Sequence, residues 1–160
     1  MNKEMLATAL YFGAFAFITV ASAEERVVFR QDNHECALNY NTDLFVPGSI
    51  DADNHRKFTG PNSATYFTVT AAANDENMTP NKIRQEYIQR RGRKDLVYNL
   101  SKRQFLVLSG YRDGLIFYTK IVLSSDHKTI CVLDIFYPRQ DKRNLDQEVT
   151  RMSRSFRAPQ

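Results

Sequence analysis

The chain has 160 residues, 42% of them hydrophobic, and carries 22 Lys and Arg against 18 Asp and Glu for a formal net charge of +4. That length gives room for one domain with its own core and not for two typical ones. No repeats, low-complexity tracts or Pro/Gly linkers divide it, and the basic excess is too mild to bear on fold.

The N-terminus reads MNKEMLATALYFGAFAFITVASAEE. Lys3 lies near the start, an uncharged apolar run extends from Leu6 to Val20, and Ala21 and Ala23 flank Ser22. This is the pattern of a secretory signal peptide over residues 1–23, cleaved after Ala23. The run is shorter than the ~20 residues that span a bilayer. Cleavage leaves a single domain over residues 24–160, periplasmic or secreted, with no further transmembrane segment. Lys3 and Glu4 depart together, so the net charge stays at +4. In an exported protein that excess points to anionic lipid, polysaccharide or an acidic protein, and not to nucleic acid.

RVVFR (Arg26 to Arg30) and ECALNY (Glu35 to Tyr40) are short strand candidates separated by polar residues. NTDLFVPGSIDADNH, rich in Asn, Asp, Pro and Gly, reads as a loop. RKFTG and ATYFTVTAA flank the turn signal Gly60-Pro61-Asn62 and predict a hairpin. Thr79-Pro80 then offers a capping hydroxyl before a proline at the first helical position. Ile83, Tyr87 and Ile88 supply an apolar side and Gly92 a stop, so a helix is predicted over Pro80 to Arg91. DLVYNL is a further strand candidate. Gln104 to Ser109, Leu115 to Leu123 and Thr129 to Tyr137 form a meander joined by the turns GYRDG, with its favoured Asp113-Gly114 dipeptide, and SSDHK. The middle strand is apolar on both faces, which predicts a sheet covered on both sides. Leu145, Val149, Met152 and Phe156 form a helical stripe that would pack on the sheet, with Arg151 and Arg154 outside it. The fold class is therefore α+β: a mostly antiparallel sheet of about six to seven strands, one inserted helix and one C-terminal helix.

Cys36 and Cys131 lie 95 residues apart, and an oxidising compartment favours their pairing. In the chain-entropy model such a loop stabilises by up to ~4 to 5 kcal/mol.

CALNYNTDLFVPG, the MTPNKIRQEYIQ helix, the FLVLSGYRDGLIFYTKIVLS hairpin and the closing SRSFRAP resemble a group of small exported alphaproteobacterial proteins. Their order of elements is similar to the PsbP-like fold, named for an extrinsic photosystem II subunit and shared with a fungal Ran-binding protein. The resemblance implies an accessory or binding module with no shared catalytic residue.

Between Lys82 and Arg103 lie Lys82, Arg84, Arg90, Arg91, Arg93, Lys94, Lys102 and Arg103, with only Glu86 and Asp95 opposing them. Cations at a helix C-terminus interact favourably with its dipole, which accounts for Arg90 and Arg91 but not for the four beyond the helix. The expected role of Arg84, Arg90, Arg91, Arg93, Lys94, Lys102 and Arg103 is to dock an anionic envelope component or acidic protein. A second, weaker candidate is the repeated DNH, at Asp32 to His34 and Asp53 to His55. Asp32, His34, Asp53 and His55 are residue types that ligate zinc or copper, although no spacing fixes a geometry and the same residues are ordinary in turns. No G-x-S-x-G elbow is present, and Ser109-Gly110 precedes a hairpin turn, where its hydroxyl would serve the turn. The sequence thus predicts a non-catalytic binding protein without a cofactor, with a small exported hydrolase or metal-dependent enzyme around the His34 and His55 loops as its rival.

Overall fold

A computed structural model describes residues 24–31, 34–50 and 55–159. The predicted leader lies outside the described residues. Within these residues nine strands and two α-helices follow one another as β1 (Glu24–Gln31), β2 (His34–Asn41), β3 (Val46–Ile50), β4 (Arg56–Thr59), β5 (Tyr66–Ala73), α1 (Pro80–Arg91), β6 (Leu96–Ser101), β7 (Phe105–Arg112), β8 (Leu115–Leu123), β9 (Thr129–Pro138) and α2 (Lys142–Ser155). Seven of the strands form one antiparallel sheet in the order β3-β4-β5-β9-β8-β7-β6, and β1 pairs only with β2.

The doubly apolar meander occupies the middle of that sheet. From β8, Phe117, Ile121 and Leu123 join Leu106 and Leu108 of β7 against Met78 and Ile83 on one face. On the other, Ile116 joins Cys131, Leu133, Ile135 and Tyr137 of β9 beneath Leu145, Val149 and Met152 of α2 and the adjoining Phe156. Cys36, Leu38 and Tyr40 of β2 complete this second layer, and the Cys36–Cys131 disulfide fastens β2 to the central strand. Thr119 interrupts the α1-side face as a buried hydroxyl, satisfied by the Asp134 carboxylate on the neighbouring strand.

Both helices begin and end close to where the sequence puts them. The Thr79 hydroxyl accepts from the Lys82 N–H (3.3 Å), and Gly92, at φ 85°, ends α1 with its N–H on the Ile88 carbonyl (3.0 Å). Buried Asn74 sets where α1 starts, because its side chain accepts from the Met78 N–H (2.7 Å) and donates to the carbonyls of Met78 and His127.

Two local expectations need correction. Val46–Ile50, read as loop, is edge strand β3; all five residues are exposed, so no buried alternation marks it, and Pro47 is compatible with a strand only at an edge. The turn after β7 is tighter than GYRDG, because pairing continues through Arg112↔Leu115 and only Asp113 and Gly114 take positive φ. The Ser109 hydroxyl accordingly bonds the Phe117 carbonyl across the ladder (2.9 Å) instead of serving the turn.

Candidate functional site

The basic residues are arranged along the edge strand β6. Arg93 and Lys94 sit in a short 3₁₀ turn that leads into it, and Lys102 and Arg103 lie in the turn that leaves it. Six extended residues separate these pairs by roughly 20 Å at ~3.3 Å per residue. Between them, Arg84 of α1 reaches over the strand and donates from Nε to the Asn99 side-chain carbonyl (2.5 Å). The cations therefore form a stripe along β6 and not a compact cluster.

Their electrostatic states differ. Arg90 lies 4.0 Å from Glu86 one helical turn away and over the Tyr87 ring at 5.2 Å, so part of its charge is answered within α1. Nothing is described of the Arg91 side chain. Among the described residues, Lys82, Arg84, Arg93, Lys94, Lys102 and Arg103 have no carboxylate within ion-pair distance. Asp95, the acid nearest in sequence, is engaged by Arg112 at 3.0 Å.

Among the described residues β6 is an open edge, pairing with β7 alone. There is an irregularity between Leu96 and Tyr98, and Val97 and Tyr98 are 70% and 51% exposed. Lys102 N–H donates to Phe105 O (2.8 Å), which makes these a hydrogen-bonded pair. Alternation along the register gives Leu100 and Tyr98 the same state, so the N–H and C=O of Asn99 and Ser101 point out of the sheet.

Beside this edge, on the α2 face, lies a cleft of about 310 Å³ whose lining includes Tyr98, Tyr111, Tyr118 and Tyr137, with Lys142 and Asp146 from α2. The Tyr118 hydroxyl shares a 2.6 Å hydrogen bond with Ser153, and Tyr137 donates to Asp146 (3.3 Å). Burial raises both phenols above their ordinary range, and for Tyr137 the Asp146 charge adds to it. Arg139 stacks over Tyr111 at 4.0 Å. Sequence reading missed this group, because Tyr98, Tyr118 and Tyr137 were counted only as strand residues and Tyr111 as part of a turn. The signal was present: the Asp113-Gly114 turn fixes a register that puts Tyr111 opposite Ile116 and Tyr118 opposite Ser109, all on one face.

Of the metal candidates, His34 and His55 lie among the described residues, and they stand apart. Asp32 and Asp53 lie outside the described residues. His34 Nδ1 is 2.8 Å from the Thr129 hydroxyl, at the start of β9. His55 precedes β4, two strands away from β9, and Thr129 pairs with Ala73 while Arg56 pairs with Val69. That offset of four residues along β5 corresponds to roughly 13 Å. Among the described residues no three His, Cys, Asp or Glu side chains stand close enough to hold a metal ion.

Comparison with solved structures places the architecture. The solution structure of the cyanobacterial PsbP (CyanoP) from Synechocystis sp. PCC 6803 superposes with a TM-score of 0.60, covering 91% of this chain and 98% of that one. The fold is PsbP-like. At 10% identity the similarity concerns the fold alone. No family model matches the sequence, and no curated protein does. Among the described residues of this PsbP-like domain, no helix is long and apolar enough to cross a membrane.

Proposed function

We propose that this is an exported, non-catalytic accessory or binding protein that docks an anionic partner along the β6 edge. The observation that carries the reading is the stripe itself: Arg93, Lys94, Lys102 and Arg103 are exposed, without carboxylate partners among the described residues, and bracket an open strand. A cation held only for the helix dipole belongs in the last turn of α1, and these four lie past it. Export is supported by the leader pattern of residues 1–23 and by a disulfide between Cys36 and Cys131. Nothing comparable supports the enzyme reading among the described residues, where His34 is hydrogen-bonded to a threonine and stands apart from His55.

The test is a quadruple variant, Arg93→Ser, Lys94→Ser, Lys102→Ser and Arg103→Ser, titrated beside the wild type with an acidic peptide, anionic lipid vesicles and an acidic polysaccharide. Wild-type binding to one of these should weaken sharply between about 0.01 M and 0.15 M salt, as the Debye length falls from about 30 Å to 8 Å. The variant should bind less and respond less to salt. Equal binding by both proteins at low salt rejects the reading.

A further inference from the structure

The edge of β6 has features that a basic patch alone does not need. Natural edge strands are blunted by charged side chains or proline, and the opposite edge, β3, carries Pro47. β6 has the sequence LVYNLS, with no charge and no proline, and its cations stand only before, above and after it. Its outward-pointing groups on Asn99 and Ser101 form a hydrogen-bonding template, unfilled among the described residues, over the regular stretch beyond the Leu96/Tyr98 irregularity. The two sides of that template differ in chemistry: Arg84 covers Asn99 on the α1 side, and Tyr98 opens into the tyrosine cleft on the α2 side.

We infer that the occupant of this edge is an extended segment of an acidic polypeptide, added to β6 as a further antiparallel strand. This rests on the anionic-partner reading and narrows it to one partner chemistry and one mode of binding. Only a polypeptide offers both the backbone groups to complete the ladder and the carboxylates to meet the stripe. Side chains alternate across a strand, so the segment should alternate in kind. In an antiparallel pair, directly opposed residues share a face. The residue opposite Asn99 therefore projects towards Arg84 and is acidic, and the residues on either side of it project towards Tyr98 and the cleft and are apolar. Acidic residues beyond the template would meet Arg93 and Lys94 at one end and Lys102 and Arg103 at the other.

The probe is a synthetic peptide of about eight residues alternating Glu and Val, a length that matches β6 and its flanking turns at ~3.3 Å per residue. It is titrated against the whole exported domain. The residue opposite Asn99 turns its own N–H towards the protein, so N-methylation of the Glu amides should abolish binding while N-methylation of the Val amides spares it. On the protein side, Asn99→Pro removes one outward donor at a position where an edge strand accepts proline, and should weaken binding at least tenfold; Asn99→Ala, which keeps the N–H, should cost little. If both methylated peptides bind like the parent while the quadruple charge variant does not, strand addition is overturned and the anionic-partner reading stands. If the charge variant binds the parent peptide like the wild type, the anionic-partner reading itself fails. Tighter binding of phosphatidylglycerol vesicles or polygalacturonate than of the peptide overturns the polypeptide as occupant. Because the methylated peptides leave the protein unaltered, they decide the matter even if Asn99→Pro does not fold.

Discussion

The main chain of Asp95 passes directly over Gly110: a β-carbon built on that glycine would overlap the Asp95 carbonyl oxygen and stand 2.8 Å from its carbonyl carbon. The contact is backbone against backbone, so no side-chain rotation relieves it. It fixes where the chain drops from the 3₁₀ turn carrying Arg93 and Lys94 onto the sheet, and the Arg112–Asp95 ion pair holds the same point. Gly110→Ala should therefore cost about 2 to 3 kcal/mol, the upper part of the range for overpacking, or a fall in Tm of about 10 °C. The damage should start at the entry to β6. Amide exchange of Leu96 and Val97 should accelerate in this variant while that of β9 changes less; a melting temperature within about 2 °C of wild type would refute the account.

Cys36 and Cys131 join the outlying β1–β2 hairpin to the central strand across a sequence separation of 95 residues. Both are fully buried, so reduction should follow global opening. Loop-closure entropy sets an upper figure near 4.7 kcal/mol for such a bridge, and measured losses commonly run about 2 to 5 kcal/mol. The double variant Cys36→Ser, Cys131→Ser should lower the urea midpoint by a corresponding amount. Adding reductant to the native wild type should shift its midpoint only after incubation long enough for unfolding. An unchanged midpoint for the serine variant would show that the hairpin is held by packing alone.

Asn74 is 4% exposed; its side chain bonds Met78 N–H and Met78 O just before α1 and, 53 residues away, His127 O in the turn before β9. Asn74→Ala leaves those groups without their partner, and each unsatisfied buried polar group costs about 1 to 3 kcal/mol. A net loss of roughly 3 kcal/mol is expected, with the N-terminal turn of α1 loosened first. Since α1 carries Arg84 over β6, binding through that edge should weaken as well. The chevron or equilibrium denaturation curve tests the first part; a loss below about 1 kcal/mol contradicts it.

Much of this fold was legible because local and long-range signals agreed. The period-two pattern of Leu115 to Leu123 marked a doubly covered strand, and the sheet provides α1 on one side and α2 on the other. The Leu145, Val149, Met152 stripe marked the helix that packs there. β3 was not legible, since an exposed edge strand containing Pro47 and Gly48 carries no burial pattern and its composition is that of a turn. The basic residues were visible as a cluster in sequence, but their layout depended on strand direction: the extended chain of β6 carries Lys102 and Arg103 away from Arg93 and Lys94, and only the return of α1 brings Arg84 between them. The tyrosine cleft was hidden because it draws on four strands and α2, and depends on registers that hydropathy does not report.

The tyrosines of that cleft should govern alkaline unfolding. Tyr137 is buried, and burial together with the nearby Asp146 carboxylate raises its phenol above the ordinary value near 10. Tyr118 is raised by burial in spite of its hydrogen bond to Ser153. Below pH 10 both the folded and unfolded chains keep these protons, and the stability linked to them is fully present. Above it the unfolded chain releases them and the folded chain does not, so stability falls as pH climbs towards the folded values. Between its unfolded and folded pKa values a phenol contributes a slope of at most about 1.4 kcal/mol per pH unit, and Tyr118 adds to that of Tyr137 with the same sign. Lys120 has the opposite sign. Burial lowers its ammonium below 10.5 even though Nζ donates to the Ser153 carbonyl at 2.5 Å, so the unfolded chain binds more protons just below pH 10.5 and stability rises there. The two effects oppose one another near pH 10; above about 10.5 the tyrosines act together with Lys142, whose ammonium the hydrogen bond to Asp146 holds above its ordinary value and which therefore carries the same sign. Urea midpoints taken from pH 9 to 11.5 should therefore stay nearly level and then drop. Tyr137→Phe should lose about 1 kcal/mol at pH 7 with its bond to Asp146, and should make the slope above pH 10.5 clearly shallower. A slope equal to that of the wild type would mean that Tyr137 ionises as freely in the folded protein as in the unfolded chain.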